Sequence, residues 1–501
     1  MINIFKKQHQ FIMLFMALAF MLSSCKKWDQ HNETTDIYLN QGLLKEINGN
    51  PALSLFSKYL AQTGYDTVLL ASKSFTVWAP DNIALAAVDP QILNDAVKLK
   101  ALIGNHISNL SFYTTEPKPS LRVKMLNNKN VIFTSAKFDD AKIIIGNQSF
   151  GNGVLHIVDK AIIPQLNIWE YLNTSGTGEI QKEELLSLNY SLRDVTKSEI
   201  IGYDQVTGNP IYKPGVGVFN WNRYLKVNDI SNEDSLYTYI ILTDQAFNDQ
   251  KTKLAPYFLT DIATISDSLT KYNVIKDLAI KGVYDKNSLP SQIYSTKDSV
   301  IYQLDKNAII STYKASNGVV FVMNRIDYDM VSKIKPVIIQ GESGYTLQAS
   351  KTVQTRTRRN SLDPTSPLYN SYFKDLLIEN HGTSGFWVKY NATLKAVKYK
   401  VYFRAVRDFT LTPATGKTDL DYFRTRIAFN TSAATELLYS EKVGVIANSN
   451  GTFSPNYDEV YAGEYTVAKY GTMGVYLVAN TVTTNGLNSL LLDYIKLVPV
   501  P

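Results

Sequence analysis

Histidine and cysteine are the side chains best suited to catalysis or metal binding, and this 501-residue chain has five histidines and one cysteine. No two histidines have the H-x-x-x-H spacing of a zinc hydrolase. A single cysteine excludes an intramolecular disulfide and any zinc or iron–sulfur site that needs several thiolates. The strings GESGY at 341–345 and GTSGF at 382–386 lack the G-x-S-x-G spacing of a serine nucleophile. We therefore predict no enzyme active site, no metal and no cofactor.

The five histidines differ in their sequence surroundings. His9 and His31 precede the first predicted domain. His106 follows a predicted helix and His156 lies in a predicted strand. Neither has an acid or nucleophile beside it, so both are predicted to be hydrogen-bonded structural residues. His381 lies in the polar stretch ENHGTSG, where it is a candidate ligand contact, with a solvated loop residue as the alternative.

The one cysteine, Cys25, follows a segment that is typical of export signals. Two lysines at 6–7 precede an apolar run over 11–22, which is too short to span a bilayer comfortably. The string LSSC at 22–25 resembles a bacterial lipobox, in which the cysteine becomes the first mature residue and is acylated. The resemblance implies lipidation of Cys25, with an ordinary secretory signal as the alternative.

The composition and the N-terminal segment together indicate a tethered protein with several domains. Residues 1–24 are predicted to be a lipoprotein signal peptide and residues 25–35 a flexible tether. The expected location is the outer membrane, at the cell surface, with the periplasmic face as the alternative. A hydrophobic share of 45% against 19% charged residues favours packed domains. The formal charge of +6 is small for this length, so no nucleic-acid partner is indicated.

Two pairs of apolar segments recur in the same order. FTVWAPDNIAL at 75–85 is followed by NGVLHIVD at 152–159, and YTYIILTDQAF at 237–247 is followed by NGVVFVMNRID at 317–327. Each pair predicts a strand that ends in a turn and a helix, and a later strand entered through an Asn-Gly turn. The spacing from the first to the second segment is nearly equal in the two pairs, which indicates an internal repeat.

In the first pair, Pro80 is predicted to end the strand, and a helix is predicted from Ile83 to Val88. A further helix is expected over 92–106, with hairpin strands around 131–134 and 143–145.

These segments resemble the fasciclin-like domain, an α+β adhesion fold. FTVWAPDN resembles its first signature, with Phe75 and Pro80. NGVLHIVDKAIIP resembles its second, with Asn152 and His156, and Asn-His-Ile around His106 resembles its central motif. The resemblance implies a fasciclin-like domain over 36–165 and a degenerate copy over 166–332, in which the stretch around 200–232 looks like an insertion.

Beyond Lys335 the pattern changes to short strands. In KYKVYFRAV the alternation places Tyr399, Val401 and Phe403 on one face of a strand. Turns at intervals of roughly 8–12 residues are typical of an all-β sandwich. Residues 336–501 resemble the galactose-binding-like β-sandwich of carbohydrate-binding modules. The predicted fold class is therefore two α+β fasciclin-like domains, the second degenerate, followed by an all-β sandwich.

Two clusters in this last region are candidate binding sites. Tyrosines offer flat faces on which sugar rings stack, and the candidate glycan-binding residues are Tyr369, Tyr372, His381 and Tyr457. Arginines form bidentate contacts with carboxylates and sulfates, and the candidate anionic-ligand loop contains Arg356, Arg358 and Arg359. A solvated loop is the alternative for the arginines.

The sequence thus predicts a non-catalytic, lipid-anchored surface protein for adhesion or glycan binding, with a polysaccharide utilisation system as one setting for that role. Its expected partners are a polysaccharide or a surface protein, and the membrane through the lipid. The first alternative is a structural lipoprotein that docks an outer-membrane partner protein. A glycoside-active enzyme is the less favoured alternative, because sequence alone does not place two distant carboxylates at a glycosidase separation.

Overall fold

The computed structural model describes residues 41–361, 363–378, 381–406, 425–433, 438–440, 445–447, 449, 453–479 and 490–501. The predicted signal peptide, Cys25 and the tether lie outside these residues. The chain forms two compact units. The first runs to Tyr171 and includes residues 231–236 and 314–318, and the second contains the remainder from Leu172 onward.

The first unit begins with short helices around a single apolar core. The helices are α1 (Leu43–Gly49), α2 (Ser54–Thr63), α3 (Tyr65–Leu69), α4 (Asn82–Ala86), α5 (Pro90–Leu93) and α6 (Ala96–Gly104), with a 3₁₀ turn at Pro51–Leu53. The stretch predicted to be helical over 92–106 is divided between α5 and α6, because the side chain of Asp95 caps a new helix by accepting hydrogen bonds from the amides of Val97 and Lys98.

A seven-stranded sheet completes this region. Its strands are β1 (Phe75–Pro80), β2 (Ile107–Ser108), β3 (Leu121–Lys124), β4 (Asn130–Phe133), β5 (Lys137–Phe138), β6 (Ala141–Phe150) and β7 (Gly153–Val158), in the order β2-β1-β7-β6-β5-β4-β3. Strands β1 and β7 pair in parallel along their whole length and are buried throughout. Such apolar strands buried on both faces are typical of a parallel pair.

The turn into β7 accepts only glycine. Gly153 has φ +147°, and a Cβ built on it would lie 1.9 Å from the carbonyl oxygen of Phe75. Beside it, the side-chain oxygen of Asn152 accepts a hydrogen bond from the amide of Leu43 at 2.8 Å, and its nitrogen donates to the carbonyl of Leu69 at 2.7 Å. The Asn-Gly pair therefore joins the central strands to the first helices.

The middle of the chain contains a second α+β sheet and three two-stranded ribbons. The helices are α7 (Ile168–Thr174), α8 (Glu179–Ser187), α9 (Asp244–Leu254), α10 (Ala263–Ile275) and α11 (Met330–Lys333), with 3₁₀ turns at Val195–Lys197, Ala255–Phe258 and Lys306–Ala308. The strands are β8 (Asn189–Arg193), β9 (Ile200–Tyr203), β10 (Pro210–Tyr212), β11 (Val218–Asn222), β12 (Tyr237–Leu242), β13 (Ala279–Lys281), β14 (Ile293–Tyr294), β15 (Ile301–Tyr302), β16 (Ile309–Ala315) and β17 (Gly318–Met323). The four-stranded sheet has the order β13-β12-β17-β16, and the ribbons are β8–β11, β9–β10 and β14–β15.

The order of the four-stranded sheet corresponds to β2-β1-β7-β6 of the first sheet, and two hydrogen bonds correspond as well. At the end of β1, the amide of Asp81 donates to Val158 at 3.1 Å, and at the end of β12 the amide of Thr243 donates to Met323 at 2.9 Å. Asn317 accepts from the first amide of α7 at 2.9 Å, as Asn152 does for α1. The two sheets therefore share a strand order and these hydrogen bonds.

The C-terminal region is built from strands arranged in several sheets. These strands are β18 (Val337–Gln340), β19 (Tyr345–Leu347), β20 (Val353–Arg359), β21 (Tyr372–Ile378), β22 (Trp387–Leu394), β23 (Lys398–Arg404), β24 (Thr425–Phe429), β25 (Leu438–Ser440), β26 (Val445–Ala447), β27 (Phe453–Pro455), β28 (Val460–Thr466), β29 (Gly471–Ala479), β30 (Leu490–Leu492) and β31 (Tyr494–Val500). The sheets have the orders β18-β31-β23-β28, β19-β22-β29-β24-β25, β20-β21-β30 and β26-β27.

One hydrophobic core serves the three larger sheets. Tyr399, Val401 and Phe403 of β23 are buried in it, as the alternation predicted, together with Val388 of β22 and Leu376 of β21. The prediction of a loop for the arginine cluster was wrong. Residues 353–359 form strand β20, paired along its whole length with β21. In the described part of the chain, no helix has both the length and the hydropathy to cross a membrane.

Candidate functional site

An open cleft of about 540 Å³ lies in the C-terminal region where β18, β20, β21, β23 and β31 come together. Its walls combine two carboxylates, two cations, neutral polar groups and three aromatic rings. The lining residues are Gln340, Glu342, Thr357, Asn360, Tyr372, Phe373, Lys374, Arg404, Asp493 and Tyr494. They come from separate parts of the sequence, so pairing of the strands is what brings them together.

Arg404 and Asp493 form an ion pair in the wall of this cleft. Arg404 also donates to the side-chain oxygen of Asn360 at 2.9 Å, and its guanidinium lies over the rings of Phe373 and Tyr494, 4.4 and 5.4 Å from their centroids. Burial raises the pKa of Asp493 to about 6, against the lowering effect of Arg404. The ion pair is therefore partly desolvated, and Arg404 is held by Asp493, Asn360 and two aromatic rings.

A second ion pair lies beside the cleft on β20 and β21. Arg356 contacts both carboxylate oxygens of Asp375, at 2.9 and 2.5 Å, and the Asp375 side chain is fully buried. The two residues are direct cross-strand partners. Arg356, which the sequence placed in an anionic-ligand loop, therefore pairs with a carboxylate of the chain itself.

The other predicted binding residues lie around the same strand. Arg359 lies over the ring of Tyr369, 4.7 Å from its centroid. The nearby Tyr372 and Tyr369 side chains raise the pKa of Arg359. Arg358 and Tyr457 are close enough for their charges to influence one another. The structure therefore joins the tyrosine and arginine clusters, which the sequence treated separately, into one surface, and only Tyr372 of this set lines the cleft.

Tyr372 and Glu342 both line the cleft and have capacity left for a ligand. Tyr372 is 58% exposed, so its ring face is open to solvent. The Oε2 atom of Glu342 is buried and has no hydrogen-bond partner among the residues that the structure describes. A buried carboxylate oxygen without a donor is costly, so a donor supplied by a ligand stabilises it.

His381 is not a ligand-facing residue. Its side chain is only 2% exposed and stacks on Phe386, with ring centroids 5.5 Å apart. Its Nδ1 atom bonds the carbonyl of Thr383 at 3.1 Å, and burial lowers its pKa. The expectation of a solvated loop was therefore wrong, because this loop folds back over the side chain.

The two histidines of the first sheet have buried side chains with complementary hydrogen bonds. His106 donates from Nδ1 to Leu102 at 2.9 Å and accepts at Nε2 from Ile162 at 2.9 Å. Burial lowers the pKa of His106 to about 4. His156 bonds the carbonyl of Phe112 and the amide of Asn147, and burial lowers its pKa as well. Both rings are neutral near pH 7 and hold backbone segments together, as structural residues do.

Sequence reasoning missed Glu342, Arg404 and Asp493. Arg404 carried a partial signal, because the alternation of β23 placed it on the face opposite the buried residues. Glu342 lies two residues after the end of β18 at Gln340, and Asp493 directly follows the end of β30 at Leu492, and no sequence pattern marks either position. Within the described residues, no group of three or more His, Cys, Asp or Glu side chains is arranged to hold a metal ion. Because its walls combine polar groups with aromatic rings, the cleft is suited to binding a polar ligand that has one apolar face.

Comparison with known proteins identifies part of the chain. Residues 51–164 match the family model of the Fasciclin domain, so the first α+β region is a fasciclin-type domain. Fasciclin domains are generally adhesion or protein-interaction modules. No curated protein sequence matches the chain.

Three solved structures with distant similarity to the chain illustrate the comparison. The FAS1 domain pair of the insect cell adhesion molecule Fasciclin I is 14% identical with a TM-score of 0.23, over 57% of this chain and 100% of that one. The GH26-CBM35 β-(1,4)-mannanase of Podospora anserina is 15% identical with a TM-score of 0.18, over 34% of this chain and 28% of that one. The CBM36-1 domain of a xylanase from the hindgut metagenome of Trinervitermes trinervoides is 13% identical with a TM-score of 0.20, over 33% of this chain and 99% of that one. These similarities carry no functional argument.

Proposed function

We propose that this protein is a non-catalytic, lipid-anchored surface protein that binds a glycan in the cleft of its C-terminal region. The observation that carries the proposal is the juxtaposition, in one cleft, of the exposed ring of Tyr372 with the unpartnered oxygen of Glu342. Sugars bind such surfaces because their C–H faces pack on aromatic rings while their hydroxyl groups exchange hydrogen bonds with carboxylates and amides.

In this proposal the second α+β sheet is a degenerate fasciclin-like domain, and the C-terminal region is a galactose-binding-like sandwich. The corresponding bonds of Asn152 and Asn317 support the first assignment. The single core shared by the larger sheets supports the second. The fasciclin-like domains then serve as adhesion or spacing modules, and the last region holds the ligand.

Lipidation at Cys25 would fix the protein to the outer membrane, where it would serve adhesion or a polysaccharide utilisation system. Weak sites suffice there, because many tethered copies raise the effective concentration for a polymeric ligand. The support is the lipobox-like LSSC string at 22–25.

A glycan array probed with the mature protein tests this function. We expect binding to at least one glycan, lost in the double variant Tyr369→Ala with Tyr372→Ala. Tyr203→Ala is the matched control. Tyr203 is also an exposed tyrosine (65%), but it lies on ribbon strand β9 and does not line the cleft. No binding to any glycan, or equal binding by all three proteins, would contradict the proposal.

The alternative, docking of a partner protein, is favoured by the ribbons β8–β11 and β9–β10. Strands β8, β9 and β11 are exposed along most of their length, and exposed apolar surface marks interaction sites. The exposed apolar residues are Leu192, Val195, Ile200, Ile201, Tyr203, Val206, Ile211, Phe219 and Trp221. Cross-linking on whole cells would favour this alternative if an outer-membrane protein were captured by the wild type and lost with Ile201→Ser and Val206→Ser.

A further inference from the structure

Resting on the proposed function, we infer that the cleft takes an uncharged sugar whose hydroxyl groups donate to Glu342, and not an acidic polysaccharide. The arginine cluster of the sequence points to carboxylated or sulfated ligands. In the structure, Arg356 and the cleft residue Arg404 are instead paired with carboxylates of the chain itself. This internal pairing argues against an anionic ligand.

The two partly buried arginines near the cleft are already engaged by carboxylates of the chain. Arg356 is held by both oxygens of Asp375. Arg404 is held by Asp493 and by Asn360, and two rings cover its guanidinium. An acidic ligand would have to displace these internal partners, and a buried carboxylate that loses its cation is strongly destabilised.

The buried polar atom of the wall that lacks a partner is an acceptor. The buried Oε2 of Glu342 meets no donor among the described residues. An ionised carboxylate accepts hydrogen bonds and donates none. Carboxylate and sulfate groups of an acidic sugar are also acceptors, so they cannot satisfy this oxygen. A sugar hydroxyl can, because it donates a hydrogen bond and carries no charge.

The local field also disfavours an anion. The charges of Glu342 and Asp375 both act to raise the pKa of Asp493, beside the larger effect of burial. A ligand carboxylate would experience the same repulsion. Lys374 lines the cleft as a cation, but its side chain is exposed on β21, where solvent screens its attraction for an anion.

Tyr372 supplies the complementary apolar contact. Its side chain is exposed and lies near Arg359, whose pKa it raises. An exposed aromatic ring packs on the C–H face of a sugar without requiring any charge on the ligand. The ring and the acceptor oxygen together fit an uncharged pyranose or furanose unit.

Affinity electrophoresis of the mature protein separates the ligand classes. The probes are gels containing a neutral β-glucan, a galactan or an arabinan, gels containing polygalacturonate or chondroitin sulfate, and a gel containing a glucosamine polymer. We expect retention by at least one neutral polymer and none by the acidic polymers. Glu342→Gln is expected to weaken that retention about tenfold, since a charge-assisted hydrogen bond is lost. Glu183→Gln, an exposed residue on α8, is the control and should leave retention unchanged.

The outcomes separate this inference from the proposed function. Preferential retention by the acidic polymers or by the glucosamine polymer overturns the inference and leaves glycan binding standing. The same holds if neutral retention survives Glu342→Gln but is lost with Tyr372→Ala. No retention on any polymer overturns the proposed function itself. If Glu342→Gln lowers the thermal midpoint, the preference of the wild type for neutral over acidic polymers decides alone.

Discussion

His106 and Leu278 occupy corresponding positions in the two α+β sheets. The carbonyl of His106 accepts a hydrogen bond from the amide of Trp78 at 2.9 Å, and that of Leu278 accepts one from Ile240 at 3.1 Å. The ring of His106 also bonds two backbone groups, which a leucine side chain cannot do. Only the first of the two positions therefore holds a buried titratable group.

We expect the first α+β domain to lose stability as the pH falls from 6.5 toward 4. Burial lowers the pKa of His106 to about 4, so the unfolded chain takes up a proton in this range while the folded chain does not. The contribution is fully present above pH 6.5, and about 3 kcal/mol is lost by pH 4. Denaturant unfolding at several pH values measures it.

The matched variant for this prediction is His106→Leu, which copies the residue of the second sheet. It should be less stable at pH 7 because the amide of Ile162 loses its acceptor. Its stability should also vary less between pH 6.5 and 4 than that of the wild type. An unchanged pH dependence would show that His106 is not the group responsible.

Local patterns were enough to predict the central strands. Phe75–Pro80 is a continuous apolar run, and residues 398–404 alternate strictly, so both strands were predictable. The strand at 353–359 was missed because its sequence VQTRTRR has almost no apolar residue. Its stability comes from pairing with β21 and from the bond of Arg356 to Asp375, nineteen positions along the chain.

The cleft was beyond the reach of sequence patterns for a related reason. Glu342 and Asp493 are far apart in the chain, and strand pairing between β18 and β31 brings their neighbourhoods together. The burial of His381 depends on a ring contact with Phe386 across a tight turn. Contacts of this kind produce no periodic pattern in the sequence. Tyr372 was predicted as a binding residue because aromatic residues in a polar stretch are recognisable from the sequence itself.

Gly153→Ala should prevent stable folding of the fasciclin-type domain. The new Cβ would overlap the carbonyl of Phe75 at 1.9 Å, and the φ of +147° is unfavourable for alanine. Gly49→Ala is the control, since nothing lies within 4 Å of its added Cβ. Thermal unfolding followed by circular dichroism compares the two, and a normal midpoint for Gly153→Ala would refute the close approach of β1 and β7.

Arg356→Met should destabilise the C-terminal region by about 3 kcal/mol or more, because it leaves the fully buried carboxylate of Asp375 without its cation. Arg359→Met, a change in an exposed arginine of the same strand, should leave the unfolding midpoint unchanged. Urea unfolding of the two variants tests this difference. Equal midpoints for both variants would mean that the Arg356 pair is not a structural contact.

Cys25→Ser should abolish acylation and release the protein from the membrane fraction. Cys25 lies outside the described residues, and the expectation comes from the LSSC string. Metabolic labelling with a radioactive fatty acid, followed by fractionation, measures both effects. Ser23→Ala is the control and should remain labelled. Labelling that persists in Cys25→Ser would contradict lipidation at this residue.

Hydrogen–deuterium exchange in the presence of a neutral polysaccharide tests glycan binding at the cleft most directly. Binding slows exchange in the backbone that it orders or covers. We predict slower exchange in peptides covering 357–360, 372–374 and 490–495, and unchanged exchange in the ribbons at 189–222. Protection confined to the ribbons or to the fasciclin-type domain, with none around the cleft, would contradict it.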